Sequence, residues 1–409
     1  MSAPPALRPS YAAVLRVPHA RRTFAAALTG RLSYGIVPLS VMLAVIRSSG
    51  SYTVAGTVMA LFGATTVFLS PARAALIDRH GPRRALVPMT AAHLTALALL
   101  ALALARPGGT GAVPVAALAA AAGACVPPLG PTMRAVWGTL TPDRALLQRA
   151  YSLDGVAEEL LFVTGPLLVG VLVGFAPPVA GIAVGAALMA VGTAGFVSSP
   201  AVREVRAEKG GAARGGGALR GIGRPVAAVA GVGLALGVID LLVVAFAERH
   251  GPGTGGAGAA WVLAALSAGS AVGGLLNGAV AWRAPATARL PLLTAGLGLA
   301  LCGAGLAPGI GTLTVAVTAA GFFVSPAITT AYLLADEAAA PQARVRAGAW
   351  VNTAVNAGST AGAAVAGALA GRLPVGLCFA VTGAVVLATA AAVAVRRVRR
   401  AATGFAPLA

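Results

Sequence analysis

The chain has 409 residues, of which 58% are hydrophobic and only 10% are charged. A soluble protein carries about 25% charged residues, so this composition excludes an ordinary soluble domain and indicates a chain that crosses a membrane many times. The formal net charge is +19. No segment combines a basic face with interleaved aromatic residues, so we do not expect nucleic acid as a partner.

The first 23 residues carry four arginines and no acid. Arg21 and Arg22 resemble the start of a twin-arginine export signal, but no small-residue cleavage site follows them. We therefore expect residues 1–23 to form a disordered cytoplasmic tail.

Twelve apolar runs of about 18–25 residues follow, each long enough for a transmembrane helix. The runs are 24–46, 52–71, 85–105, 112–133, 152–174, 176–198, 225–247, 257–281, 290–307, 310–334, 347–371 and 374–395. Glycine and proline are frequent inside them, which helices in lipid tolerate. The sequence predicts an all-α membrane protein with 12 transmembrane helices.

The distribution of arginines predicts the orientation of these helices. If the N-terminus is inside, the cytoplasmic segments hold 25 of the 30 basic residues and the outer loops hold four. Positive charge collects on the cytoplasmic side of membrane proteins. We therefore expect a multi-pass protein of the cell (plasma or inner) membrane with both termini cytoplasmic.

The longest hydrophilic stretch, 199–224, follows the sixth apolar run and divides the chain into halves of similar length. We interpret it as a flexible cytoplasmic linker. It would join an N-terminal six-helix bundle at 24–198 to a C-terminal six-helix bundle at 225–395, with residues 396–409 forming a C-terminal tail.

The two halves resemble each other, which indicates an internal duplication. Segment 74–79 matches segment 278–283 at an offset of 204 residues, with Trp282 in the place of Asp78. A second set of positions matches at an offset of 197: Arg149, Gly165 and Gly170 with Arg346, Gly362 and Gly367.

A dense charged turn links the second and third runs. Asp78 is its only acid, among four arginines, and Gly81 permits a tight turn. This turn, the twelve runs and the duplicated halves together resemble the major facilitator superfamily of transporters, whose turn reads Gly-x-Leu-Ala-Asp-Arg-x-Gly-Arg-Lys-x-x-Leu. The matching residues are Leu76, Asp78, Arg79, Gly81, Arg83 and Leu86. Ala74 and Pro82 depart from the pattern.

The resemblance implies two pseudo-symmetric bundles and a conformational latch on the cytoplasmic side. Asp78, Arg79, Gly81 and Arg83 would belong to this latch. Arg134, at the predicted cytoplasmic end of helix four, is a candidate partner for Asp78. The alternative is that Arg134 only anchors its helix at the membrane interface.

Helix five carries a second resemblance. Gly165, Pro166 and Gly170 are similar to part of the Gly-Pro signature of proton-coupled drug antiporters in this superfamily, with Val169 in the place of one glycine. The resemblance favours export over import.

Ionisable groups inside a bilayer are costly unless they are paired or hydrated. Arg31 and Glu158 each lie nine residues after a basic residue near the start of their helix. Nine helical residues rise by roughly 13 Å, so the two side chains should lie at similar depth in the membrane. Asp154 and Glu158 share a helix face, while Glu159 points elsewhere. This group is either a proton or cation site or a structural ion-pair cluster near the cytoplasmic interface.

Other polar residues extend this candidate site. Asp240 is the only acid within the predicted helices of the second half. It is a candidate for proton coupling or a residue hydrated from the outer side. Asn352 and Asn356 share a face of helix eleven and would contact either substrate or a neighbouring helix. Ser33 and Tyr34, beside Arg31, are candidate cavity residues.

We therefore predict proton-coupled efflux of a small amphipathic or drug-like compound by alternating access. The main alternative is a proton-coupled importer of a small nutrient. A membrane-embedded enzyme or sensor is a remote alternative, because nucleophile-elbow and metalloprotease motifs are absent. We expect a monomer without cofactor or metal, since the three cysteines and four histidines are scattered.

Overall fold

The computed structural model describes residues 10–106, 111–141, 143–204, 219, 221–250, 255–340, 343–370 and 372–403. In that part of the chain the regular structure is entirely helical. The first half contains α1 (Tyr11–Arg16), α2 (Ala20–Ser49), α3 (Tyr52–Phe68), α4 (Ser70–His80), α5 (Pro82–Ala105), α6 (Ala112–Ala124), α7 (Leu129–Leu140), α8 (Arg144–Val173), α9 (Pro178–Ser198) and α10 (Pro200–Glu204). The second half contains α11 (Gly223–His250), α12 (Gly255–Ala279), α13 (Ala286–Ala304), α14 (Ile310–Ala338), α15 (Arg344–Ala370) and α16 (Val375–Thr403).

Short polar side chains define where several helices begin. Ser51 accepts the N–H of Val54 at 3.3 Å at the start of α3. Asp143 accepts the N–H of Leu146 at 2.8 Å at the start of α8. Each side chain satisfies one of the N–H groups that a helix N-terminus leaves without a partner. Serine and aspartate at these positions therefore fix the helix boundaries.

Two of the predicted membrane helices are interrupted. The second consists of α3 and α4, which meet at Leu69, just before Pro71 in the first turn of α4. Proline lacks an N–H donor and is tolerated in that first turn. The fourth consists of α6 and α7, separated by a segment that contains Pro127 and Pro128. The charged stretch that the sequence predicts as a long turn is mostly helical, since α4 continues to His80.

Eleven helices among the described residues are long and apolar enough to cross a membrane, with α3–α4 and α6–α7 each counted once. The twelfth, α15, has 27 residues but is more polar because it carries Arg344, Arg346 and the two asparagines of the candidate site. The predicted fold is confirmed by this arrangement.

Small residues let the helices pack closely. A side-chain carbon added to Gly165 on α8 would lie 2.6 Å from the Cα of Gly35 on α2. The same close approach occurs between α11 and α15, where Gly233 and Gly237 face the backbone of α15. Close backbone contact of this kind drives helix association in lipid, where apolar side chains gain nothing from burial.

The two halves meet mainly at one end of the molecule, where α4 and α7 contact α15 and α8 contacts α12 and α14. We call this end the basic face, because it carries the α4–α5 turn with Arg79, Arg83 and Arg84. The other end is the opposite face. One hydrophobic core joins the two halves, and a second, separate core lies within the first half only.

The termini differ from the sequence prediction. Part of the tail predicted to be disordered is helical, because α1 starts at Tyr11, where Ser10 accepts the N–H of Ala13 at 3.2 Å. The first membrane helix starts at Ala20. At the other end, α16 continues to Thr403. Residues 1–9, 205–218, 220 and 404–409, which include most of the predicted linker, lie outside the described residues.

Candidate transport site

Four charged side chains from three helices form a compact group, which we call the charge cluster: Arg31 on α2, Arg134 on α7, and Asp154 and Glu158 on α8. Arg31 Nη1 lies 2.7 Å from Asp154 Oδ1, and Arg31 Nη2 lies 3.0 Å from Glu158 Oε1. Arg134 Nε lies 2.9 Å from Asp154 Oδ2. Arg134 also forms an ion pair with Glu158. Each carboxylate therefore contacts both arginines.

The cluster is electrically neutral and almost completely buried. The side chains of Arg31, Arg134 and Asp154 are at most 4% exposed, whereas Glu158 is 26% exposed. A single buried charge at this depth would be costly, but two cations and two anions in contact compensate one another. Glu158 is thus the most exposed member of the cluster.

One aromatic ring connects the charge cluster to the second half of the protein. The guanidinium carbon of Arg134 lies 3.9 Å from the centre of the Tyr332 ring on α14. Tyr151 packs edge-on against Tyr332, with ring centres 6.5 Å apart, and its hydroxyl donates to the Arg134 carbonyl at 3.1 Å. A cation above an aromatic face is attracted to it, so this contact ties the two halves together.

A cavity of about 470 Å³ lies between the halves. Glu158 and Glu159 line it from the first half, and Asp240, Asn352 and Asn356 line it from the second half. The rest of the wall combines valine, leucine, isoleucine and tyrosine side chains with hydroxyl groups from four serines and one threonine and with Arg134. The structure therefore brings together residues that are up to 198 positions apart in the sequence.

Two carboxylates of this cavity are not part of the charge cluster. Glu159 accepts a hydrogen bond from Ser270 on α12. Asp240 is exposed on α11. Within the described part of the chain, neither carboxylate has an arginine, lysine or histidine within ion-pair distance. They are the cavity's candidates for binding a proton or a positively charged group.

A smaller cavity of about 220 Å³ lies on the first-half side and shares Glu158, Asn352 and Asn356 with the larger one. Ser33 and Tyr34 line it, so the structure places both of these predicted residues at a cavity wall. The shared residues make the two cavities neighbouring compartments of one site.

Arg73 lies at the wall of the smaller cavity and joins the two interrupted helices. Its Nη1 donates to the carbonyls of Gly123 at 2.8 Å and Ala124 at 2.9 Å, at the end of α6. Its Nη2 donates to the carbonyl of Thr66 at 2.5 Å, near the end of α3. A cation stabilises the C-terminal end of a helix, and Arg73 does so for two helices at once.

The charged turn contacts the second half, but with a different partner from the one expected. The Asp78 carboxylate accepts the backbone N–H groups of Val345 at 3.2 Å and Arg346 at 3.0 Å, in the first turn of α15. The pairing of Asp78 with Arg134, one of the two alternatives that the sequence left open, is not formed in this conformation. Because α7 continues to Leu140, Arg134 lies about 9 Å inside that helix, where it joins the charge cluster.

The rest of the turn has simpler roles. Gly81 has a φ of +83°, a conformation that glycine adopts without strain. Arg79 and Arg83 are exposed on the basic face. Ala74, which replaces a glycine of the family pattern, is fully buried, so its methyl group is accommodated there.

The predicted motif of the fifth membrane helix divides into two parts. Gly165 lies directly against Gly35 on α2, whereas a side-chain carbon at Gly170 would meet nothing within 4 Å. Pro166 lies inside α8 without ending it. Only the first glycine of the motif is therefore required for packing in this conformation.

Sequence reasoning missed several residues of the site: Arg134 as a cluster member, Tyr151, Tyr332, Ser270 and Arg73. If the fourth membrane helix is taken to end at residue 140 instead of residue 133, Arg134 lies in the membrane interior. Nothing in the sequence distinguishes Tyr332 from other aromatic residues. Groups of His, Cys, Asp or Glu that could hold a metal ion do not occur among the described residues.

The sequence model of the Major Facilitator Superfamily matches residues 23–312, which is more than half of the chain. The chain therefore belongs to the major facilitator superfamily, a family of membrane transporters. No curated protein matches the sequence.

Solved structures of other transporters share the fold at low sequence identity. The human organic anion transporter MFSD10 (TETRAN) is 13% identical, with a TM-score of 0.70 over 92% of this chain and 99% of its own. A bacterial homologue of the iron transporter ferroportin, in an outward-facing state, is 14% identical, with a TM-score of 0.68 over 93% and 99%. The fucose:proton symporter FucP of E. coli is 16% identical, with a TM-score of 0.67 over 90% and 98%. At these identities the comparison establishes the fold alone.

Proposed function

We propose that this protein is a secondary active transporter that exports a small amphipathic, drug-like compound in exchange for protons. One observation carries the proposal: a cavity between the two halves combines apolar and aromatic side chains with hydroxyl groups and with two carboxylates, Glu159 and Asp240, outside the neutral charge cluster. An apolar wall with a few polar groups suits an amphipathic ligand. A carboxylate without a permanent counter-ion suits a proton or a cationic group.

Alternating access supplies the mechanism. The halves contact each other at the basic face, which supports access to the cavity from the opposite face in this conformation. Rocking of the two bundles would close that side and open the basic face, which exposes the same cavity to each compartment in turn. The excess of arginine at the basic face supports a cytoplasmic location for that face and for both termini.

Proton exchange would use carboxylates that both the substrate and the proton can reach. Glu159 and Asp240 face the cavity directly, and Glu158 reaches it from the charge cluster. A proton bound to one of them from outside would be released inside, where the carboxylate then becomes available to substrate. One chain encloses its own cavity, which supports a monomer as the transporting unit.

The second candidate is a proton-coupled importer of a small polar nutrient. Asn352 and Asn356 favour it, because their side chains stand at the junction of the two cavities and amides can bind hydroxyl groups of a substrate. The fold similarity to a fucose:proton symporter is compatible with this direction. The apolar and aromatic side chains of the wall are the reason to prefer export.

Proton flux in proteoliposomes tests the proposal. The vesicles enclose a pH-sensitive dye and are exposed to a panel of hydrophobic cations, neutral antibiotics and sugars. Wild type is compared with Glu158→Gln, Glu159→Gln and Asp240→Asn. Glu337→Gln serves as the matched control, because that carboxylate is 40% exposed at the basic face and lies outside the cavity.

We expect a hydrophobic cation or amphipathic antibiotic to drive proton movement in wild type and in the control. At least one cavity variant should abolish that movement and thereby identify the coupling carboxylate. Proton movement driven only by sugars would favour import. Substrate flux without proton movement in any variant would reject proton coupling.

A further inference from the structure

The last turn of α12 is held by side chains from the other half of the protein. The Tyr11 hydroxyl on α1 donates to the carbonyl of Leu275 at 2.5 Å. On α8, Gln148 Nε2 donates to the carbonyl of Asn277 at 2.5 Å, and Arg149 donates to the carbonyl of residue 279, two positions further on, at 3.3 Å. All three contacts cross the boundary between the halves at the basic face.

Two of these acceptors, the carbonyls of Asn277 and residue 279, are groups that the helix cannot satisfy by itself, whereas Leu275 lies one residue earlier and its carbonyl gains the Tyr11 hydroxyl as an additional donor. The last four carbonyls of an α-helix lack an N–H partner within the helix and carry a partial negative charge. Donors are therefore the matching chemistry at this position, and a cation such as Arg149 is especially favourable. Burial raises the pKa of the Tyr11 hydroxyl above its usual value, so this group keeps the proton that it donates.

The position of these contacts follows from the internal duplication. Gln148 and Arg149 correspond to Val345 and Arg346 at the offset of 197 residues. Val345 and Arg346 are the residues whose N–H groups bind the Asp78 carboxylate. The α12–α13 turn in turn corresponds to the α4–α5 turn. The two contacts between the halves, α4 with α15 and α12 with α8, are thus equivalent under the duplication: the first uses an accepting side chain and the second uses donating side chains.

Trp282 occupies the position of the second half that corresponds to Asp78 in the first half. It fits the same exchange, because a donating side chain replaces an accepting one. The indole Nε1 of Trp282 donates to the carbonyl of Asn277 at 3.0 Å. Arg289 lies over the Trp282 ring, 5.2 Å from its centre, and its Nη2 donates to Gln148 Oε1 at 3.1 Å. Arg289 therefore fixes the amide of Gln148 with its N–H group directed at α12.

Glycine at position 278 makes the close approach possible. A side-chain carbon there would collide with the Tyr11 hydroxyl, and it would lie 2.8 Å from Cβ of Ser152 on α8. Position 278 is therefore the point where α12, α8 and the N-terminal segment come closest together.

We propose that Tyr11, Gln148 and Arg149 form a second, acid-free latch, the donor latch, which holds the basic face closed by capping the C-terminal end of α12. The short N-terminal helix α1 is part of this latch and not merely a leader to the first membrane helix. The donor latch must release whenever the basic face opens. It acts on conformation alone, so it does not depend on the substrate, the coupling ion or the direction of transport.

Distances between spin labels at the basic face test the proposal. The native cysteines at positions 125, 302 and 378 are first replaced, and labels are attached to Arg84→Cys and Ala284→Cys, which are exposed at the basic face in the first and second halves. The test variants are Tyr11→Phe and Gln148→Glu, which remove a donor while they keep the shape of the side chain. Asp78→Asn is the reference for the other latch, and Arg47→Met, at an exposed arginine of the opposite face, is the matched control.

We expect each test variant to raise the ratio of open to closed basic face by about tenfold, as Asp78→Asn does, with no change in Arg47→Met. Gly278→Ala should produce the same opening by steric contact. Size-exclusion profiles and unfolding temperatures close to wild type verify folding. Label distances in Tyr11→Phe and Gln148→Glu that match wild type, while Asp78→Asn opens, would overturn the donor latch and leave the proton-flux result untouched.

Discussion

Asp154 is the member of the charge cluster with no exposed surface, and each of its carboxylate oxygens has an arginine as a neighbour. Arg31 lies 2.7 Å from one oxygen and Arg134 lies 2.9 Å from the other. The pair Asp154 and Glu158 neutralises both arginines, but Glu158 is partly exposed. Asp154 is therefore the residue on which the neutrality of the buried part of the cluster depends.

The variant Asp154→Asn should strongly destabilise the protein, because it leaves two buried arginines with one carboxylate. Removal of one partner from a buried ion pair costs about 3–5 kcal/mol. The measurement is thermal unfolding in detergent. Asp143→Asn, at an N-cap where asparagine is equally favoured, is the control and should change little. Equal unfolding temperatures for the two variants would contradict the structural importance of the cluster.

Part of this cluster could be predicted from the sequence. Helical rise places Arg31 and Glu158 at equal depth, and they lie 3.0 Å apart in the structure. Spacing along α8 places Asp154 and Glu158 on one face. Arg134 could not be assigned to the cluster, because its depth in the membrane depends on where α7 ends. A run of apolar residues marks the apolar core of a helix, but it does not show how far a buried polar end continues. Tyr332 joins through tertiary packing that no local pattern encodes.

At the scale of single helices, α8 carries glycines with different environments. Gly165 lies against the backbone of α2 at Gly35, and Gly170 faces open space. Both belong to the same sequence motif, so the motif alone does not separate them. Sequence patterns likewise predicted the twelve helices but not the breaks at Leu69 and Pro127, because prolines are tolerated in membrane helices and a break depends on what satisfies the freed carbonyls.

The substitution Gly165→Ala should destabilise the protein, whereas Gly170→Ala should be nearly neutral. The added methyl group at position 165 would overlap the Cα of Gly35, and overpacking of this kind costs about 1–3 kcal/mol. Unfolding temperatures of the two variants in the same detergent provide the measurement. Destabilisation by Gly170→Ala of similar size would mean that position 170 is packed in another conformation of the transport cycle.

At the scale of the whole molecule, closure of the basic face rests on buried contacts to helix ends. Asp78 caps the start of α15. Arg144 and Glu337 also form an ion pair across the halves, but their side chains are 60% and 40% exposed. An exposed ion pair contributes about 0–1 kcal/mol, whereas a hydrogen bond to a charged group contributes about 1.5–3 kcal/mol. The two contacts should therefore differ in their effect on closure.

Loss of the Asp78 charge should open the basic face, and loss of the Glu337 charge should not. The probe is a single cysteine at Ala347, which is fully buried on α15, treated with a maleimide. We expect Asp78→Asn to raise its alkylation rate about tenfold, equivalent to ~1.4 kcal/mol, and Glu337→Gln to leave the rate unchanged. A large effect of Glu337→Gln would show that exposed charges control closure.

All four members of the charge cluster belong to the first half, on α2, α7 and α8, and the Tyr332 ring contacts Arg134 from the second half. If the two halves rock as proposed, the cluster would move as one body, because its four ion pairs lie within the first half. Such a movement would separate the Tyr332 ring from Arg134 but would not separate the ion pairs of the cluster. The electrostatic work of assembling this cluster would then be done once, during folding, and would not be repeated in each transport cycle.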